Sequence, residues 1–184
     1  MRKLTALFLL LTWMPAFGAT AEGEETYTQN EILQEIEHFF GAGAEGLAKV
    51  VEKTFADQGR PNAYIEGEEA AAALGIGLRY GRGDLHTKAG ASDKLYWQGP
   101  SIGFDAGVDV AKVFILVYHL PGVDKMYQRY PGVEGSLYFI GGVGVNYLQS
   151  GQVVVAPIRF GAGWRQGVSA GYMHFTREAS VIPF

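Results

Sequence analysis

The chain has no cysteine among its 184 residues. That excludes disulfide frameworks, thiolate zinc sites and cysteine nucleophiles together. It also excludes the lipid-modified cysteine that anchors bacterial lipoproteins. Histidine is scarce: His38, His86, His119 and His174 are far apart, and none has a partner at metal-ligand spacing. The one carboxylate cluster, Glu66-Gly67-Glu68-Glu69, lacks the alternating Asp/Asn positions and distant Glu of a calcium loop. Neither a metal nor another cofactor is expected. Positive charge is also in short supply, with 15 Lys and Arg against 19 Asp and Glu. An acidic chain without a basic run is a poor nucleic-acid binder. It also has no polybasic segment to draw it onto anionic lipid. Beyond the first residues no apolar run is long enough to span a bilayer as a helix, so a helical membrane protein is not expected.

Those first residues read as an export signal. Arg2 and Lys3 form a positive start, Leu4 to Met14 an apolar stretch, and Ala19-Thr20-Ala21 supplies small residues at a cleavage site. Cleavage is expected between Ala21 and Glu22, leaving a mature chain with a formal charge of −6 once Arg2 and Lys3 are gone. The expected organisation is a signal over residues 1–21, a helical segment over 22–61 packing on a barrel, and the barrel itself over 62–184.

Thr28 and Glu31 stand at capping-box spacing, and Ile32, Leu33, Ile36, Phe39 and Phe40 follow as one apolar stripe. Gly41-Ala42-Gly43 ends that helix. A second helix carries Leu47, Val50, Val51 and Phe55 on one side and stops at Gly59-Arg60-Pro61. Both stripes are expected to pack on the sheet and to cover one end of it.

From Asn62 onward the period changes to two. Leu74, Ile76, Leu78 and Tyr80 alternate with Gly75, Gly77 and Arg79. Trp97 to Leu120 reads as two consecutive strands, the second an unbroken apolar run from Val113 to Tyr118, as expected where both faces are covered. Gly135–Val145, Val153–Phe160, Gly163–Gln166 and Ser169–Arg177 are further strand-like runs, with tight turns at Ser150-Gly151 and Gln166-Gly167. Glycines at 103, 107, 141, 142, 144, 161, 163 and 171 sit within the runs, which suggests sharp curvature. The predicted fold is mainly β: a small antiparallel β-barrel of roughly eight to ten strands with one or two N-terminal α-helices.

No motif carries obvious chemistry. Gly141-Gly142-Val143-Gly144 opens no helix and so is no phosphate loop. Arg82-Gly83-Asp84 reads as a glycine turn, and Asp105 and Asp109 as a solvated strand face. Ser101 lies outside a nucleophile elbow. An enzyme is therefore not expected. Aromatic residues are plentiful, and Trp97, Phe104, Tyr118, Tyr147 and Trp164 are candidates to line an apolar ligand pocket. The terminal Phe184 raises the alternative of an outer-membrane barrel, but Pro183 and the short strands fit that class poorly.

Several runs resemble the EipA-type family of small periplasmic proteins: Tyr64-Ile65-Glu66-Gly67-Glu68-Glu69-Ala70, Gly77-Leu78-Arg79-Tyr80-Gly81 and Tyr96-Trp97-Gln98-Gly99-Pro100-Ser101-Ile102-Gly103-Phe104-Asp105. So do Tyr130-Pro131-Gly132-Val133-Glu134-Gly135-Ser136, Gly141 to Tyr147, Ala156-Pro157-Ile158-Arg159 and Pro183-Phe184. More distantly, Gly99 to Leu120 looks like the glycine-rich core of lipid-binding SYLF domains. The resemblance implies a soluble, non-catalytic periplasmic β-barrel that supports cell-envelope integrity, with links to lipopolysaccharide O-polysaccharide. The implied partner is an envelope lipid, glycolipid or protein. A lipid or glycolipid carrier with an apolar barrel pocket is the alternative. The resemblance supplies no site residues.

Overall fold

The computed structural model describes residues 25–41, 45–160 and 171–180, and for residues 45, 71–77 and 101–109 the backbone alone. The signal and its cleavage point, the tight turn at Gln166-Gly167 and Phe184 lie outside the described residues.

Helix α1 runs Gln29–Phe40. The Thr28 hydroxyl accepts from the Glu31 amide at 3.3 Å, and the Glu31 carboxylate accepts from the Thr28 amide at 2.7 Å, so the capping box is complete. Lys112 donates to the Phe39 carbonyl at 2.9 Å, setting a cation at the helix's negative end. Helix α2 runs Glu45–Gln58 and ends on Gly59, whose φ of +80° suits a residue without Cβ.

Eight strands follow among the described residues: β1 (Ala63–Thr87), β2 (Ser92–Tyr118), β3 (Arg129–Pro131), β4 (Tyr138–Ile140), β5 (Val143–Val145), β6 (Leu148–Ser150), β7 (Val153–Phe160) and β8 (Tyr172–Thr176). All pairings are antiparallel. The long strands β1 and β2 form one hairpin from Ala63–Val117 to His86–Ser92, with an irregularity between Ala73 and Gly75. The other edge of β2 takes β8 over Tyr96–Gln98 and β7 over Val113–Tyr118. Strand β8 carries β3, a bridge from Gly132 to Leu148 joins that side to β6, and β6 pairs with β7. The remaining gap is closed by β1 folding back on itself. A Cβ on Gly67 would lie 2.4 Å from the Arg82 carbonyl oxygen, and one on Gly83 2.4 Å from that of Glu66. Only glycine permits two backbones this close.

The inward positions of this circuit form one core. Ile65, Leu85, Leu95, Trp97, Val113, Ile115, Val117, Tyr130, Val155, Met173 and Phe175 are all essentially inaccessible to solvent. Among the described residues these inward side chains pack against one another as a single core. A second core lies on the outer face, where Phe114, Leu116 and Tyr118 of β2 and Val154, Ala156 and Ile158 of β7 meet Ile32, Ile36, Leu47, Val50 and Val51 of the helices. The fold is thus mainly β, as the two-residue period indicates.

Four local expectations are corrected. Trp97–Leu120 is not two strands; its residues to Tyr118 belong to the single 27-residue β2, because Ala111-Lys112 offers no turn chemistry and both residues pair with β1, at Glu69 and Glu68. Gly135–Val145 is not one run. Gly141 and Gly142 have φ of +58° and +81°, the signature of a type I′ turn, and they join β4 to β5 instead of bending a strand. Gly83 of the Arg-Gly-Asp tripeptide lies inside β1, at the close approach to Glu66, and makes no turn. The helices cover an outer wall and not an end, because the β2 and β7 segments are apolar on both faces and need cover on both.

Candidate functional site

An ion cluster sits where β1 folds back. Glu69 of β1 is 4% exposed and Arg159 of β7 is 1% exposed. The Arg159 guanidinium grips the carboxylate with two bonds, Nε to Oε1 at 3.1 Å and Nη2 to Oε2 at 3.0 Å. The Trp97 indole donates to Oε2 at 2.9 Å, and Arg79 Nε approaches Oε1 at 3.2 Å. Asn146 accepts from Arg159 at 3.4 Å. Burial alone would raise the Glu69 carboxyl, but the charges of Arg159 and Arg79 and the hydrogen bonds from Arg159 and Trp97 outweigh it and hold it below its ordinary range. Burial draws the Arg159 guanidinium down to about 10, which leaves it cationic at neutral pH. With its charge neutralised and its oxygens occupied, Glu69 is built for holding the seam together.

Above this cluster a surface cavity of about 410 Å³ opens between the two halves of β1. Tyr80 pairs with Gln98 and Arg82 with Tyr96, so these four side chains share one outward face of the β1–β2 hairpin. Glu68 and Ser180 complete the polar rim, and Glu69 and Trp97 reach the floor. The floor depends on glycine: a Cβ on Gly81 would stand 2.0 Å from the Trp97 ring. Glu68 and Arg82 pair across the mouth at 3.5 Å, both well exposed. Gln98, on the same face, is only 3% exposed.

Of the five sequence-derived pocket candidates, the three whose side chains are described do not share one face. Trp97 faces the inner core, whereas Tyr118 and Tyr147 lie on the opposite face beneath α2, with the Tyr147 hydroxyl donating to Asp57 at 2.8 Å. Strand parity accounts for this, because β2 turns odd-numbered residues inward at Val113, Ile115 and Val117 and even-numbered ones outward. The side chain of Phe104, all of Trp164 and the side chains of Asp105 and Asp109 lie outside the described residues. Glu66 lies in a shallow groove beside Asp84 and Lys94, its carboxyl raised chiefly by burial. His86 stacks on Tyr64 at 5.0 Å. Among the described residues no three His, Asp or Glu are placed to hold a metal ion, and no helix is long and apolar enough to cross a membrane.

Sequence reasoning missed the Glu69–Arg159 pair by reading residues 66–69 as one acidic cluster. The signal was available: Arg159 interrupts an apolar strand from Val153 to Phe160, and a charge there needs a buried partner.

The sequence profile of EipA, described as envelope integrity protein A, matches residues 25–184. The chain belongs to the EipA family. A crystal structure of a beta-barrel-like, uncharacterized protein from Brucella abortus is similar, with 44% sequence identity and a TM-score of 0.79. That match covers 87% of this chain and 99% of the other. No curated protein matches. The EipA match spans every residue of the ion cluster and the cavity, and the family's description points to the cell envelope.

Proposed function

We propose that this EipA-family protein supports cell-envelope integrity from the periplasm, as a soluble, non-catalytic protein that binds an envelope component or partner through the seam cavity. The family match supports the envelope role. The position of the seam cavity supports the rest, because the inward side chains among the described residues pack into one core while this cavity opens in the barrel wall. The apolar inside and helix-covered outer wall are the reverse of an outer-membrane barrel, whose polar lumen and apolar lipid-facing band need strands of ~9–11 residues. Catalysis is disfavoured at the cavity because Glu69 is spent in ion pairs and the remaining carboxylate, Glu68, faces Arg82. Deleting the gene should lower resistance to detergent and to cell-wall antibiotics, and a copy supplied in trans should restore it. Unchanged resistance in the deletion strain would overturn the reading.

A further inference from the structure

We infer that the seam cavity binds a neutral saccharide ring; the inference rests on the binding role proposed above and names its ligand class. The cavity, about 410 Å³, is at the small end of the ~300–1,000 Å³ usual for ligand pockets. Gln98 lines it and is only 3% exposed. An amide that faces a cavity presents two donors and an acceptor to whatever enters it. The matching ligand offers acceptors and donors a few ångströms apart, as neighbouring sugar hydroxyls do. Tyr80 and Tyr96, half-buried on the same face, add aromatic side chains to the lining, of the kind against which the C–H face of a pyranose stacks.

Polar groups at the cavity bear on the competing chemistries. An anionic ligand would meet Glu68 at the mouth, where Arg82, the cation among the described lining residues, is already paired with it. An acyl chain would leave the Gln98 amide on the lining without a partner. A neutral polyol does neither, since its hydroxyls can join the carboxylate and guanidinium they meet.

Saturation-transfer NMR on the purified full chain tests this, using free neutral hexoses, 6-deoxyhexoses and N-acetylhexosamines, with a hexose phosphate and octanoate as competing probes. The expected result is transfer to at least one neutral sugar, weakened about tenfold by Gln98→Leu and by Tyr96→Ala and unchanged by Phe139→Ala at a distant exposed position. Tyr80→Ala carries the test if Gln98→Leu does not fold, as judged by circular dichroism. Absence of transfer to every neutral sugar, equal transfer in the cavity variants, or preference for octanoate or the phosphate would overturn the assignment. The deletion phenotype is read separately: a sensitive deletion strain with no sugar binding removes the ligand class alone, whereas an unchanged strain removes the envelope role.

Discussion

Replacing Glu69 by alanine should be among the most damaging single changes in the chain. Glu69 and Arg159 are 4% and 1% exposed and joined by two short bonds, so removing the carboxylate takes the charge partner and both of those bonds from a guanidinium buried in the core. Breaking a buried pair in this way costs about 3–5 kcal/mol, against the ~0–1 kcal/mol of an exposed pair. For a domain of this size each kcal/mol moves Tm by ~2–4 °C, so Glu69→Ala should lower it by ~6–20 °C. Arg159→Met should cost less, because Glu69 keeps Arg79 at 3.2 Å and the Trp97 donor at 2.9 Å. The double change Glu69→Leu with Arg159→Met removes both charges and should recover most of the loss. Thermal and urea unfolding followed by circular dichroism measure all three. A loss below about 1 kcal/mol for Glu69→Ala would show the pair to behave as an exposed one and would refute the reasoning.

Further outcomes follow from the same contacts. Because the folded-state carboxyl of Glu69 lies below its unfolded value, its stabilisation is present above the unfolded pKa of ~4.3 and fades as pH falls through the lower folded value. The acid limb of the Tm–pH curve should therefore be shallower in the Glu69→Leu/Arg159→Met protein than in the wild type; parallel limbs would contradict the assignment. Gly81→Ala puts a methyl group 2.0 Å from the Trp97 ring and should cost about 1–3 kcal/mol and shift Trp97 emission. Thr28→Ala removes the capping box of α1 and should cost about 1 kcal/mol by urea unfolding, with Trp97 emission unmoved.

The parts legible in the sequence were those governed by short-range pattern. The α1 stripe and its cap, the α2 stripe from Leu47 to Phe55, the apolar run Val113–Tyr118 and the strand Val153–Phe160 follow directly from period and capping chemistry. What escaped depends on contacts between distant residues. Glycines at 67, 81 and 83 give no local signal of crowding, and only the fold reveals that β1 doubles back there and that Trp97 lies against Gly81. Glu69 and Arg159 are 90 residues apart, and no local rule links them. Aromatic content does not specify a face: Trp97 and Tyr118 lie on one strand but, at opposite parity, serve different cores.

The most direct measurement is complementation of the deletion strain with the Gln98→Leu/Tyr96→Ala protein, expressed and folded at the wild-type level. If envelope support runs through the seam cavity, that variant should fail to restore resistance to detergent, whereas Phe139→Ala restores it fully. Full restoration by the cavity variant would contradict the account.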